Sequence, residues 1–442
     1  MKKRITVVGA GLTGPLLSIF LSKRGYHVDL FEARPDSRKT NLYAGKSINL
    51  ALSERGIHAL RELNVFEKVK DDLIPMKGRM IHTLDGSLHF QPYSVRPDEF
   101  LYSVSRGMLN QKLLDEADQY ANIHTDFNHR CTSYDSKQKA LHFFNQETNE
   151  EVIVFSDTVI AADGAFSAVR KSMQTTERFN YSQEFISYGY KELSIPAGKD
   201  GKHQIEKNAL HIWPRKNFML IALPNLDGSF TCTLFLSWEG EESFAKLTDA
   251  KAVNDFFQKF FPDAHALIDN LGEDFFQHPI GSLVTVKCSP WNIRGEALLI
   301  GDAAHAITPF FGQGMNASFE DCLLLDEAMT STGDDLEKAF TTFSAKRKKD
   351  ADAIADMAYE NFIEMRDLVG DPKFQLKKAI EQELEKNFPE QYRSRYSLVS
   401  FSRLPYSEVV EIGKKNDKLL ARIMTDIHSV SEITPQKLKT YF

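Results

Sequence analysis

Three places in this chain set glycines beside a carboxylate just after a short apolar run. The first is Gly9, Gly11 and Gly14, spaced G-x-G-x-x-G, with Glu32 downstream. The second is Asp163-Gly164-Ala165-Phe166-Ser167-Ala168-Val169-Arg170. The third is Gly301-Asp302-Ala303-Ala304-His305, running into Pro309-Phe310-Phe311-Gly312-Gln313-Gly314-Met315-Asn316-Ala317. A glycine turn lets a pyrophosphate approach the backbone, and the helix behind it offers free N–H groups and a positive dipole end. A carboxylate about twenty residues further on can accept hydrogen bonds from a ribose diol. The first site is therefore predicted to hold a dinucleotide. At the third, Asp302 is placed to hold a sugar hydroxyl of an extended ligand, its alternative role being a helix cap. The Gly312/Gly314 turn would present backbone N–H groups to an anionic ring. Gly312 to Ala317 mimics a second fingerprint, but Pro309-Phe310-Phe311 is a poor lead-in strand, so no second such unit is expected. His305 has no second His or carboxylate at ligand spacing, which favours packing beside the site over metal binding.

The elements that must position these turns can be read from periodicity. Ile5 to Val8 has the β-branched run of a strand buried on both faces. An apolar helical run from Leu16 to Leu21 follows, then a Gly25 stop and a strand Val28 to Phe31 that ends on Glu32. A polar loop to Tyr43, the stretch Ala44 to Ser53 and a helix Glu54 to Leu63 come next. Met80 to Tyr93 alternates around Asp85-Gly86 and predicts a hairpin. Ser105 to Tyr120 is helical, with Leu109, Leu113 and Leu114 on one face. Strands Val152 to Phe155 and Thr158 to Ala162 lead into Asp163-Gly164. Strand carboxyl ends share one edge of a twisted parallel sheet, so the three glycine sites are expected to converge there. From about Phe179 the texture changes. Ile186 to Leu193, Leu210 to Trp213, Phe218 to Leu223 and Phe230 to Leu236 predict an antiparallel sheet in a separate lobe. A helical patch, Ala252 to Phe260, and an apolar strand, Ala297 to Ile300, precede the third site. From Phe319 onward the pattern is mostly helical, with a long amphipathic run from Glu337 to Val369.

Composition excludes several classes. The 442 residues carry a net charge of −7 and no Lys/Arg block, which argues against nucleic acid as partner. Cys131, Cys232, Cys288 and Cys322 lack metal-ligand spacing and read as free thiols in a reducing compartment. No window approaches about eighteen uninterrupted apolar residues, so no membrane span is expected. The first strand begins at Ile5, leaving no room for a cleaved signal peptide, and a cytoplasmic protein is expected.

The three sites, in this order and spacing, resemble those of the FAD-dependent aromatic hydroxylases that take electrons from NADPH. Val104-Ser105-Arg106, with Leu109 and Leu113, resembles the helix whose arginine contacts flavin in that family. The stretches AGKSINLALSERG, GRMIHTL, LYSVSRGMLN, ADGAFSAVR, LHIWP, CTLFLSWEG, GDAAHAITPFFGQGMNASFEDC, NFIEMRD and RYSLVSF extend the resemblance through nearly the whole chain. It implies an α/β fold: a Rossmann-like FAD-binding domain (1–75, 97–178 and 285–330), an antiparallel-sheet substrate domain (76–96 and 179–284) and a helical C-terminal region (331–442) closing the active site. It implies tight, non-covalent FAD, with NADPH and O2 as co-substrates, and oxygen transfer to an aromatic ring through a flavin C4a-hydroperoxide. The FAD contacts it implies are Gly9, Gly11, Leu12, Gly14, Glu32, Arg34, Ala51, Arg106, Asp163, Asp302, Pro309, Gly312, Gly314, Met315 and Asn316. Eukaryotic members carry a C-terminal membrane anchor, whereas this chain ends in polar SEITPQKLKTYF, so a soluble, bacterial-type form is implied.

For the substrate, the resemblance implies a small aromatic amino acid. Arg79 and Tyr93 would bind its carboxylate, and Asn361 and Tyr396 its amino-acid head group. Met365, four residues from Asn361, shares its helical face. Ile221, Leu223, Phe235 and Phe310 would wall the ring. Taken alone, Tyr93 and Phe235 would read as core aromatics and Arg79 as a solvated charge. No residue is expected to act as a catalytic group in its own right and no metal is expected. Oligomeric state is left open, a homodimer included. The alternatives are another flavin hydroxylase or oxidase, or a non-enzymatic flavin-binding redox sensor.

Overall fold

A strand covered on both faces must be apolar at successive positions, and Ile5, Val7, Leu30, Ile160 and Leu298 are all fully buried. They lie in neighbouring parallel strands. In the computed structural model, which describes residues 3–40, 49–365 and 371–442, the order is Ala297–Leu299, Val159–Ala161, Arg4–Val8, His27–Phe31 and Ile123–Asp126. Asn292–Ile293 pairs antiparallel at one edge. Most of the expected loop to Tyr43 lies within the described residues, but its end, the start of Ala44 to Ser53 and the end of Glu337 to Val369 do not.

The chain divides into two compact units. The first comprises 1–73, 104–185 and 284–355 and contains this parallel sheet. Helix Thr13–Lys23 follows the first strand, and helix Arg106–Ala117 opens on Ser105, whose Oγ accepts from the Met108 amide at 3.3 Å. Helix Gly314–Ser331 starts slightly earlier than its sequence pattern suggests. The unit also carries an antiparallel sheet of His129–Asp135, Ala140–Asn145 and Glu150–Phe155, of which only the last strand is legible in the sequence. Its two turns use Lys139 and Asn149 at positive φ instead of glycine, so the usual punctuation is missing.

The second unit comprises 74–103, 186–283 and 356–442. Its sheet runs Asn180–Ile195, Phe230–Ser237, Phe218–Pro224, Ala209–Arg215, Gly78–His82 and Leu88–Pro92, with Gly281–Ser289 beyond the first of these. The expected hairpin is present as Gly78–His82 and Leu88–Pro92. The sheet is not purely antiparallel: Gly78–His82 pairs in parallel with Ala209–Arg215. The two strands are far apart in sequence, so no tight turn dictates their relative direction. One sheet face packs Trp213, Leu220, Phe230 and Leu234 against Val253, Phe256 and Phe257 of helix Ala250–Phe260. The C-terminal helices Pro372–Asn387, Tyr406–Asp426 and Pro435–Lys439 enclose their own core of Ile380, Leu384, Leu420, Ile423 and Leu438. Among the described residues, no helix is long and apolar enough to cross a membrane.

Candidate functional site

The three glycine–acid turns lie side by side in the first unit. Gly9 follows Val8, Asp163 lies two residues beyond Ala161, and Gly301 lies two beyond Leu299, all at the carboxyl ends of adjacent parallel strands. Backbone bonds tie this edge together: the Gly9 amide donates to the Phe31 carbonyl at 2.7 Å and the Ala162 amide to Val8 at 2.8 Å. Glu32 ends the neighbouring strand. Its Oε2 accepts from the Ala10 amide at 2.7 Å, and its Oε1 accepts from the Arg34 amide at 3.0 Å and Arg34 Nε at 2.8 Å. A carboxylate offers about four lone-pair sites, so Oε2 retains capacity for a sugar hydroxyl. The recess beside it is lined by Ala10, Glu32, Arg34, Asn110, Leu114 and Phe127. Asn110, which sequence reasoning missed, donates from Nδ2 to the Ala10 and Gly11 carbonyls at 2.9 and 2.8 Å and so fixes the fingerprint turn. Its only signal is a polar residue on the apolar side of a helix.

The other two turns differ from each other. Asp163 Oδ2 accepts at 2.8 Å from the amide of Ala168, the first residue of the short helix Ala168–Met173, whose N-cap is Ser167. Its Oδ1 is buried without a partner among the described residues. Asp302 accepts no bond from the helix it opens, whose N-cap is Gly301, so the capping alternative finds no support there. Asp302 keeps an accessible surface. Yet the protein crowded around it raises its carboxyl above the usual range, with His305 and Arg106 opposing the rise. An accessible carboxylate in a crowded recess is what the wall of an open cleft requires. Arg106, the first residue of its helix, is exposed. Pro309 and Phe310 lie on the turn Pro309–Phe311 that leads to Gly312.

Two helices point uncapped N-termini out of these turns. Neither Leu12, before Thr13–Lys23, nor Gln313, before Gly314–Ser331, makes a side-chain cap bond. The first-turn amides, Gly314, Met315 and Asn316 among them, have no intrahelical acceptors and suit an anionic ligand. The Asn316 side chain is already engaged. Its Nδ2 donates to the Ala51 and Gly312 carbonyls, both at 2.8 Å, and its Oδ1 accepts from the Ser53 amide at 2.9 Å. Asn316 and Ala51 can therefore offer a cofactor only their remaining backbone groups.

Behind this edge lies a buried ionic cluster that sequence reasoning also missed. Arg55 Nη1 pairs with Glu320 Oε1 at 2.8 Å, and Arg347 Nη1 pairs with Glu320 Oε2 at 2.9 Å. Arg347 Nε pairs with Asp321 Oδ1 at 2.6 Å. Asp321 Oδ2 then faces His305 Nε2 at 2.6 Å and accepts from the Gly301 amide at 3.1 Å. Two adjacent acids in the otherwise apolar Phe319–Leu325 stretch are the signal that could have revealed it. The cluster anchors helix Gly314–Ser331 to the turn that carries Asp302. Among the described residues, no group of three His, Cys, Asp or Glu side chains could hold a metal ion.

The second unit gathers a different set. Register places Arg79 opposite Leu210 and Gln91, and Ile221 opposite Ile212 and Thr233, while Phe235 faces Met219. Side chains two apart share a sheet face. Arg79, Tyr93, Ile221, Leu223 and Phe235 therefore belong to one face, opposite the Trp213 core. The Arg79 guanidinium lies 4.7 Å from the Tyr396 ring centroid and 5.7 Å from that of Tyr93, and the two rings stack at 5.5 Å. Burial works against the Arg79 charge, but the Tyr396 and Tyr93 phenols and Glu364 outweigh it and raise its pKa. Burial and the Tyr396 phenol push Tyr93 well above the usual phenol range, so it remains a donor. Arg79 Nε and Tyr93 Oη are buried without hydrogen-bond partners among the described residues, and the carboxylate whose charge acts on Arg79 is that of Glu364. Asn361 Nδ2 lies 3.4 Å from Met365 Sδ, on the chain just after helix Leu336–Ile363 enters this unit. Phe310 belongs to the first unit.

Glu99 links the segment after Tyr93 to the helix Arg395–Phe401 that carries Tyr396. Its Oε2 accepts from Ser94 Oγ at 2.6 Å and from Ser397 Oγ and Arg96 Nη1 at 3.4 Å, and its Oε1 accepts from Arg393 Nη2.

Residues 2–358 match the family described as FAD binding domain. The chain is 48% identical to a kynurenine 3-monooxygenase of Myxococcus xanthus over 432 residues, which cover 98% of this chain and 93% of that protein. It is 45% identical to the enzyme of that name in Dictyostelium discoideum, covering 98% of this chain and 96% of that one. Among solved structures it is similar to 2-methyl-3-hydroxypyridine-5-carboxylic acid oxygenase, with a TM-score of 0.68 and 18% identity over 86% of this chain and 97% of that one. It is also similar to p-nitrophenol 4-monooxygenase of Pseudomonas putida, with a TM-score of 0.67 and 16% identity over 95% of this chain and 98% of that one.

Proposed function

The chain belongs to the FAD-binding-domain family and, within it, to the kynurenine 3-monooxygenases, and on that premise we propose that it hydroxylates L-kynurenine at ring position 3. Kynurenine, NADPH, a proton and O2 give 3-hydroxykynurenine, NADP⁺ and water, a step of tryptophan degradation. FAD, when bound, supplies the electron transfer from NADPH to O2 and the delivery of one oxygen atom to the ring. The first unit fits such a cofactor through its donor set: a ribose-type carboxylate with spare capacity, two uncapped helix N-termini, and a buried Asp163 oxygen without a partner among the described residues. Gly9, Gly11, Leu12 and Gly14 would meet the pyrophosphate, and Glu32 and Arg34 the adenosine. Asp163 and Asp302 would hold the polar linker, and Arg106, Ala51, Pro309, Gly312, Gly314, Met315 and Asn316 the flavin end.

One observation carries the substrate reading: a guanidinium set between two phenols that, among the described residues, forms no salt bridge with a carboxylate. Kynurenine brings that carboxylate, and a charged acceptor in a sheltered site is best met by a two-pronged cation. Tyr93 can donate a further hydrogen bond, while Asn361 and Tyr396 would receive the amino group. The apolar strip Ile221, Leu223 and Phe235 would pack the ring and keep water from it. Met365 joins this set on the family resemblance. No acid–base residue is assigned, because the ring's own amino group can push electrons toward the site of attack.

The decisive assay is NADPH oxidation with and without L-kynurenine, with the product identified by mass. Kynurenine should accelerate oxidation strongly and gain one oxygen atom. An unchanged rate and unmodified kynurenine would refute the assignment. A second expectation concerns Asp302. If its carboxylate grips the cofactor's sugar-alcohol chain, Asp302→Ala should weaken FAD binding by about 1.5–3 kcal/mol while the fold is retained. Fluorescence titration of the apoprotein with FAD, beside its thermal unfolding, measures both. Unaltered FAD affinity would remove Asp302 from the site.

A further inference from the structure

Asn361 and Tyr396, the proposed amino-group contacts, stand on separate elements of the second unit, and their spacing must be fixed by something else. Asn361 lies in the last turn of helix Leu336–Ile363 and Tyr396 in the first turn of helix Arg395–Phe401. The residue before each is charged. Glu360 Oε2 accepts from Arg395 Nη1 at 2.6 Å, so an ion pair joins the two helices one residue away from both contacts. Asn361 is buried and Tyr396 half-buried, while the Glu360 side chain stands largely in solvent. On the inner side the Tyr396 ring lies against Arg79, 4.7 Å from its guanidinium.

An isolated exposed ion pair contributes little, because water competes for both charges and two long side chains must be immobilised. This pair is not isolated. Arg395 Nη2 donates to Asp417 Oδ2 at 3.2 Å, and Asp417 Oδ1 accepts from Lys377 Nζ at 2.9 Å. Charges therefore alternate across four helices in the order Lys377, Asp417, Arg395, Glu360. The Arg395 side chain also has a seat. Gly413 lies inside helix Tyr406–Asp426, where glycine is a poor helix former. A Cβ there would stand 2.9 Å from Arg395 Nε and 3.2 Å from its Nη2. The missing side chain leaves a notch in which the guanidinium lies against the helix. Three residues on, Asn416 Nδ2 donates to the Arg393 carbonyl at 2.9 Å and fixes the backbone that leads into Arg395. Gly413, Asn416 and Asp417 are three and four apart, so one helix face presents all three. The guanidinium is thus held in place from one side before it meets Glu360 on the other.

We propose that Arg395 is a positioning residue: seated in the Gly413 notch and tied to Glu360, it sets the spacing of Asn361 and Tyr396 around the substrate's amino group. The proposal rests on the reading of those two residues as the amino-group contacts. Arginine suits the task because its planar fork reaches Asp417 with one nitrogen and Glu360 with another, which the single ammonium of lysine cannot do from the same seat. The clasp acts on the amino end of the substrate, whereas the carboxylate is assigned to Arg79. It can pass on no more than it contributes itself, which for a networked exposed pair is about a three- to fivefold change in affinity.

The test uses the FAD-loaded full chain and two ligands, L-kynurenine and its analogue with hydrogen in place of the α-amino group. Arg395→Met and Gly413→Ala should each weaken kynurenine binding about three- to fivefold and weaken binding of the analogue distinctly less. Gly413→Ala separates positioning from stability. Its methyl displaces only the end of a flexible side chain and replaces a glycine inside a helix, so this variant should melt no earlier than wild type. Should Arg395→Met fail to fold, Gly413→Ala carries the test. Arg395→Lys should recover part of the affinity that Arg395→Met loses. In turnover the loss should fall on KM and leave kcat nearly unchanged, with FAD content as in wild type. Equal losses with both ligands would make the clasp a general support of the fold and overturn the proposal. So would wild-type kynurenine affinity in Gly413→Ala and Arg395→Met. A wild type that binds no kynurenine would remove the proposed function and this inference together. That failure is distinct from a wild type that binds kynurenine and variants that match it.

Discussion

Arg79→Ala should keep its FAD and lose its grip on kynurenine. A substrate carboxylate leaving water for an apolar wall costs several kcal/mol unless a paired cation receives it. Arg79 is that cation in the proposed site, flanked by Tyr93 and Tyr396. Removing it should weaken kynurenine binding by about 2–5 kcal/mol, a loss of roughly thirty-fold to several thousand-fold. Arg79→Lys should recover only part, because a point charge cannot make a two-pronged contact. A second expectation has the opposite sign. A half-buried charge that forms no salt bridge among the described residues adds little to the free protein, so Arg79→Met, which fills a similar volume, should unfold no earlier than wild type when substrate is absent. Kynurenine titration of flavin absorbance gives the affinities, and thermal unfolding gives the stabilities. Near-wild-type affinity in Arg79→Ala would place the carboxylate elsewhere. Early unfolding of Arg79→Met would make the guanidinium a structural group.

Physical reasons separate what could be read from the sequence from what could not. The parallel strands were legible because burial on both faces requires unbroken apolar runs, and Ile5, Val7 and Val8 form one. The edge shared by Gly9, Asp163 and Gly301 then follows from strand direction alone. Sidedness in the second sheet was not legible. Leu220 and Ala222 face the Trp213 core while Ile221 and Leu223 face the other way, yet all four are apolar, so alternation carries no signal. Only register against Arg79 and Phe235 assigns the faces. The parallel pairing of Gly78–His82 with Ala209–Arg215 joins strands far apart in sequence and leaves no local trace. The same holds for Arg55, Glu320, Asp321 and Arg347, whose charges read as solvated until the fold buries them together. Asn316 shows the limit of a motif. Its position in the fingerprint is as expected, but its side chain is bonded to Ala51, Ser53 and Gly312.

The first turn offers a prediction in which neighbouring glycines part company. A Cβ on Gly14 would stand 1.9 Å from the Gly9 carbonyl oxygen and 3.3 Å from Leu30 Cδ1. The obstructing atom is backbone, held in turn because Gly9 sits at φ +99° with its own Cβ position 2.5 Å from the Ala162 carbonyl oxygen. Nothing there can yield without moving helix Thr13–Lys23 off the sheet. Gly14→Ala should therefore destabilise the protein by about 3 kcal/mol or more, at or beyond the upper end for overpacking, and should lose FAD as a consequence. Gly11 is different: a Cβ there meets nothing within 4 Å. In the protein alone Gly11→Ala is nearly neutral, within about 0.5 kcal/mol. That open space lies at the uncapped N-terminus of Thr13–Lys23, where a pyrophosphate needs to reach the backbone. The added methyl should lower FAD affinity at least tenfold, about 1.4 kcal/mol, with the apoprotein melting as wild type does. Thermal unfolding of both apoproteins and their titration with FAD separate the cases. If Gly11→Ala binds FAD as tightly as wild type, the pyrophosphate does not pass over Gly11 and the cofactor must enter the turn from another side.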